Sequence, residues 1–239
     1  MPREDLTLRP AGPDDLGAVA DLFLASRAAA VPQMPPVDDE ADARDWVLGW
    51  DLASREVWLA VDETGVVGFA ALEDSWLSCL YVAPDRMRDG VGSSLLDVVK
   101  AQRPRGFALW VFESNERARA FYRRHGLVEL EHTDGADNRE QSPDLRMAWP
   151  GADPIAYFRG EIDDVDQILA VLLARRAALT GAVQDNKGVS GHAGRDPERE
   201  RQIAQRMSAH APGLSPDAIA RIMHTVIAES LDAWEAGGE

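Results

Sequence analysis

The chain has 239 residues, 45% hydrophobic and 28% charged, enough apolar material for one large core or two ordinary ones, and it reads as a soluble globular protein. Its formal net charge of −16 excludes a nucleic-acid or anionic-membrane surface, whose affinity rests on clustered Lys and Arg. No apolar run reaches the roughly 18 residues of a membrane span, and the start from Met1 to Pro10 has no apolar leader core, so the expected location is the cytoplasm.

Chain order then gives a strand from Leu6 to Arg9, a helix from Asp14 through Ala30 and a second helix from Ala41 to Leu52, preceded by the acidic run Asp38–Asp45. Strands from Val57 to Val61 and Val66 to Leu72 flank the turn Asp62-Glu-Thr-Gly65, a hairpin signal. A strand from Leu77 to Val82 contains Cys79, the single cysteine, which rules out an intrachain disulfide and is expected as a buried core thiol. With no CxxC and no HExxH, no metal site is expected.

The stretch Val82–Leu96 places Gly90 and Gly92 at the start of a helix spanning Ser93 to Lys100. Glycines there let backbone amides converge, and uncapped amides plus the helix dipole attract phosphate. Two glycines before a helix are also a common tight turn. The loop is not a P-loop, since no Gly-Lys-Ser/Thr follows, and Leu95 stands where a dinucleotide fingerprint needs its third glycine. A strand from Phe107 to Phe112, a helix from Glu116 to Arg124 closed by Gly126, and strands Leu127–Glu131 and Leu145–Trp149 complete a mixed α/β sheet domain. Asn115 and Tyr122, two helical turns apart, share one face.

The element order, the Met87-Arg-Asp-Gly-Val-Gly92 loop and Asn115-x-x-Ala-x-x-Phe-Tyr122-x-x-x-Gly126 resemble the GNAT acyltransferases over residues 5 to 149. The resemblance implies acetyl-CoA as co-substrate, lying along Leu80–Val82 with its pyrophosphate on the amides of Arg88, Asp89, Gly90, Val91, Gly92 and Ser93. It implies further that Asn115 contacts the pantetheine arm and that Tyr122 protonates the departing thiolate. Met87 stands at the family's Arg/Gln position and Leu127 at its usual Phe. Glu73 and Asp74, at a strand end, are candidate bases, and solvated carboxylates are common there. The acceptor, an amine, is not legible.

Near Pro150–Pro154 composition shifts to an almost continuous 3.6-residue period, which divides the chain into domains 1–150 and 151–239. Ile162, Val165, Ile168, Leu169, Leu172, Leu173, Leu179 and Val183 make one apolar stripe on a helix of about 30 residues. Asp196-Pro197 and Ser215-Pro216 supply an N-cap and a first-turn proline for two more helices, the first following a loop over Gly188–Gly194. Three helices make a poor core for one chain, and the stripe asks for a partner. Arg159 and Arg176 lie 17 positions apart on the long helix, about 26 Å, so they serve one ligand only if two chains share the site. Arg176 and Lys187, about 16 Å apart, can reach a ligand between them. Few acids accompany these cations, which suits a dicarboxylate.

Arg159, Arg176, Lys187, Asp196, Arg199, Glu200 and Ser230 resemble, at matching spacing, the AroQ-type chorismate mutases over residues 155 to 235. The resemblance implies an all-α, three-helix, intertwined homodimer and the conversion of chorismate to prephenate, a step of aromatic amino-acid biosynthesis that uses no cofactor. It assigns Arg176 and Arg199 to the carboxylates, Arg159 to the neighbouring subunit's site, Glu200 to the hydroxyl and Lys187 to the ether oxygen. Trp234 replaces the Gln or Glu that is the second ether donor; indole N–H also donates, with a larger ring. The reading is therefore a bifunctional protein. Its alternatives are a helical domain that acts on isochorismate or aminodeoxychorismate, or one that only dimerises or senses a metabolite.

Overall fold

A computed structural model describes residues 6–189, 191–211 and 213–237, so the first five residues and Ser190 of the expected loop lie outside the described residues. The chain divides into two compact units, Met1–Phe158 and Arg159–Glu239.

The first unit is a seven-stranded sheet built from β1 (Thr7–Pro10), β2 (Glu56–Asp62), β3 (Gly65–Glu73), β4 (Trp76–Val82), β5 (Phe107–Phe112), β6 (Val128–Thr133) and β7 (Asp144–Trp149). Its order is β1-β2-β3-β4-β5-β7-β6, antiparallel except for β4 beside β5. Four helices cover it: α1 (Leu16–Ala29), α2 (Glu40–Leu48), α3 (Val91–Gln102) and α4 (Glu116–Arg124). Strands alternate their side chains between two cores. On one face Leu95, Leu96 and Val99 of α3 pack on Leu72, Phe107, Leu109 and Met147. On the other, Val19 and Phe23 of α1 and Val47 of α2 pack on Leu59, Phe69 and Cys79.

Helix α2 is shorter than the apolar period suggests. It stops at Leu48 rather than Leu52, because Gly49 breaks it and Asp51 then organises its own turn, accepting from Ala53 N–H through Oδ1 and from Arg55 N–H through its carbonyl. Likewise β6 begins at Val128, since Leu127 N–H still bonds Tyr122 O at 3.0 Å around Gly126, whose φ of +81° closes α4.

The second unit is all-helical. It holds helix α5 (Pro154–Asp185), α6 (Pro197–Ser208) and α7 (Pro216–Gly237). Asp196 caps α6 by accepting from Glu198 and Arg199 N–H, as its place before a proline suggests. Ala204, Ile219 and Met223 form a small core between α6 and α7. The stripe of α5 is uncovered: Ile162, Val165, Ile168 and Leu179 are all about 60% exposed. Among the described residues no helix is long and apolar enough to cross a membrane.

Candidate functional site

The first unit's site begins with a defect in its sheet. The β3–β4 register shifts between Ala71 and Leu72, leaving Ser78 as an extra residue on β4. Strands β4 and β5 hold register only at Trp76↔Ala108, so beyond Leu77 they diverge. A cleft of about 210 Å³ opens between them, lined by residues of both faces of the sheet. From the α3/α4 side come Leu80, Val111, Asn115, Ala118 and Tyr122; from the α1/α2 side come Arg27, Met34, Tyr81, Phe112 and Asp144. The cleft thus runs through the sheet, and its unpaired strand edges offer backbone donors and acceptors.

Tyr122 is 8% exposed, and burial holds its phenol far above the ordinary range, so it stays a neutral O–H donor. Asn115 also caps α4, its side chain accepting from Ala118 N–H at 3.1 Å. Burial raises the Cys79 thiol to about 12, which makes it an inert core group. Glu73 is paired with Arg55 and Asp74 sits in the β3–β4 turn; neither lines the cleft.

The glycine loop reaches α3 with Arg88 at φ +73° and Gly90 at φ +88°. Gly90 is the N-cap and has no side chain to cap with, which leaves the amides of Val91, Gly92 and Ser93 without intrahelical acceptors. Asp89 N–H is taken by Arg86 O at 3.3 Å, so the usable donors are fewer than the six residues of the motif. Ser93 Oγ lies 3.1 Å from His125 Nε2, and burial with Lys100 nearby lowers the His125 pKa. Val82 lends its carbonyl to Ser26. The sequence did not announce Arg117, whose guanidinium reaches Met87 Sδ at 3.5 Å and sets a cation beside the loop where Met87 itself supplies none.

In the second unit, Arg176 Nη1 donates to Ser230 Oγ at 2.9 Å and to Val226 O, while Ser230, 6% exposed, donates a hydrogen bond from its own hydroxyl to Val226 O. Burial lowers the Arg176 pKa, and among the described residues no carboxylate pairs with it. Lys187 Nζ donates to Gly194 O at 3.0 Å. Glu200 is held in a two-pronged pair by Arg195, at 2.8 and 2.7 Å, which lowers its pKa; Arg195 was not singled out from sequence because it matches no motif position. Arg199 and Arg159 are exposed, and the unbroken α5 keeps Arg159 about 26 Å from Arg176 along the axis. The indole N–H of Trp234, expected from the sequence as an ether donor, donates to Asp185 Oδ1 at 2.9 Å.

The GNAT acetyltransferase family matches residues 53–129 and the chorismate mutase type II family matches residues 158–233. The chain is 27% identical over 146 residues to the peptidyl-lysine N-acetyltransferase YiaC of Escherichia coli (strain K12), which covers 60% of this chain and 96% of YiaC. It is 30% identical over 102 residues to the peptidyl-lysine N-acetyltransferase YjaB of the same organism, covering 42% and 69% of the two chains. The fold is shared with the solution structure of apo YjaB from Escherichia coli, at a TM-score of 0.52 and 24% identity over 62% of this chain and 99% of that one. The breached sheet and the polar helical unit therefore belong to one enzyme of two parts, a member of the GNAT acetyltransferase family that carries a chorismate mutase type II domain.

Proposed function

We propose that the first unit moves an acetyl group from acetyl-CoA to a primary amine of the lysine type, and that two copies of the helical unit together convert chorismate to prephenate. The observation that carries the first part is the cleft through the sheet, with Tyr122 on one side and a separate wall on the other. The uncapped amides of α3 suit a pyrophosphate, and Arg117 adds charge beside them. Past its bulge β4 has no register with β5, which supports N–H groups on that edge as donors to the acyl oxygen. The amine nitrogen bonds to the acyl carbon as the carbon–sulfur bond breaks. Tyr122 gives its proton to sulfur and is reprotonated from solvent; of the two protons an ammonium sheds, one balances that transfer and one is released. The relatives' peptidyl-lysine acceptors support an amine on a methylene chain.

The second part rests on Arg176, a half-buried guanidinium lacking an acid partner among the described residues, which suits a substrate carboxylate. A pericyclic rearrangement needs no nucleophile or acid, only a held conformer and donors at the ether oxygen. Lys187 is that donor. Arg159, exposed and far along α5, serves the partner's pocket, and the bare apolar stripe of α5 buries against the second copy, making the homodimer. Trp234 favours one second reading, a close chorismate analogue as substrate, since its ring takes the place of a polar donor.

Full-length protein incubated with chorismate tests the mutase reading through loss of chorismate absorbance and the mass of the product. Binding without conversion would make the unit a sensor. For the transferase, release of free thiol from acetyl-CoA with a lysine peptide is the assay. Tyr122→Phe is expected to lower kcat by about 10² or more with acetyl-CoA affinity retained. Unchanged kcat would remove Tyr122 from proton transfer.

A further inference from the structure

Two buried charges face the α1/α2 half of the cleft, and among the described residues only one has an ionic partner. Arg27, 6% exposed, donates through Nη2 to Glu140 Oε1 and to Pro35 O, each at 3.0 Å, so its charge is balanced. Asp144, 8% exposed, is held by neutral donors only, Thr133 Oγ1 and Asn138 Nδ2, the latter at 3.0 Å. Among the described residues no cation pairs with it. Burying a carboxylate without a counter-charge is unfavourable, and a cationic ligand removes that penalty.

The register fixes where this carboxylate lies. Asp144 starts β7 directly opposite Phe112 of β5, and the Phe112 ring is covered by the Arg27 guanidinium of α1 at 5.7 Å. Its neighbour Leu145 packs in the α3/α4 core, so alternation puts Asp144 on the other face, across the breached sheet from Tyr122. Met34, Tyr81, Trp110 and Phe112 supply an apolar and aromatic wall around it. Each Asp144 oxygen has a lone pair beyond the one its neutral donor uses. From this arrangement, and resting on the acetyltransferase reading above, we propose that Asp144 is the anchor for the acceptor's ammonium group, and that the acceptor site selects alkyl primary amines. The fixed Thr133 and Asn138 bonds hold the carboxylate still, so it orients the amine toward the cleft as well as attracting it.

Asp144→Asn is nearly isosteric: its amide oxygen still accepts from Asn138 Nδ2, and its amide N–H donates to Thr133 Oγ1 in place of the bond that Thr133 now donates to the carboxylate. Its KM for Nα-acetyl-lysine methylamide is expected to rise at least tenfold, with acetyl-CoA affinity by calorimetry within threefold of the parent. A parallel measurement uses the unaltered protein, so that it decides even where the variant fails to fold: butylamine should compete with the lysine derivative and butanol should not. An unchanged KM in a folded variant, or equal competition by the alcohol, overturns the assignment. Absence of acetyl-CoA binding to the unaltered protein is a different result, which defeats the acetyltransferase reading itself.

Discussion

At the scale of single residues, the mutase site turns on which donor meets the ether oxygen. Trp234 is the one motif position that departs from the pattern, and its N–H is already committed to the Asp185 carboxylate. To donate to substrate it would have to give up a charge-assisted bond, whereas Lys187 has three N–H donors and spends one on Gly194 O. On the proposed function, Lys187 is therefore the expected transition-state donor and Trp234 part of the wall. Lys187→Met is expected to reduce mutase turnover by about 10² or more, and Trp234→Phe by less than tenfold, in steady-state assays on chorismate. The reverse order would return the ether contact to the indole. Sequence motifs exposed these residues because each sits at a fixed helical spacing. They did not expose Arg195, which holds Glu200 from outside the pattern, or Asp144 and Arg27, which occupy ordinary positions until folding brings Arg27 to Glu140, 113 residues away.

At the scale of elements, the join between the glycine loop and α3 is the part of the transferase most exposed to test. A side chain added at Gly90 would meet open space, so nothing in the protein itself excludes bulk there, although the φ of +88° is a left-handed conformation. A valine costs about 1–2 kcal/mol in that conformation and sets branched carbon where the ligand's pyrophosphate is proposed to lie. Gly90→Val is expected to weaken acetyl-CoA binding well over tenfold by calorimetry, with a thermal melt separating lost binding from lost fold. Equal affinity in a folded variant defeats the assignment of this loop. Most elements were legible because periods of 2 and 3.6 are written into β3, α3 and α5 by their apolar residues. The end of α2 was not, since Trp50 prolongs the apolar period past Gly49 while the Asp51 turn decides the backbone. Nor was the cleft legible, because the parallel neighbours β4 and β5 meet only across a crossover and the bulge at Ser78 changes no residue type that a pattern would notice.

At the scale of the whole molecule, the long helix sets a requirement that no rotamer can relieve. Arg159 and Arg176 lie on one continuous α5, about 26 Å apart at ~1.5 Å per residue, while the reach of two extended arginines toward each other is shorter than that span. The same helix shows Ile162, Ile168 and Leu169 to solvent on a unit whose core cluster among the described residues is Ala204, Ile219 and Met223 with a few neighbours, an imbalance that the proposed association of two copies would remove. Each proposed pocket then draws Arg176, Lys187 and Ser230 from one protomer and Arg159 from the other. Arg159→Ala alone and Arg176→Ala alone should each be inactive as mutases, because every pocket in either homodimer lacks one arginine. Mixed and allowed to exchange subunits, the two proteins form heterodimers with one pocket missing both arginines and one intact. Exchange is read by native mass spectrometry of the differently tagged chains, and activity by chorismate consumption. Full exchange should restore about a quarter of the activity of the unaltered protein, since half of the dimers are mixed and half of their pockets are whole. Confirmed exchange with no return of activity would mean that Arg159 does not cross to a second subunit, and the shared site would fall with it.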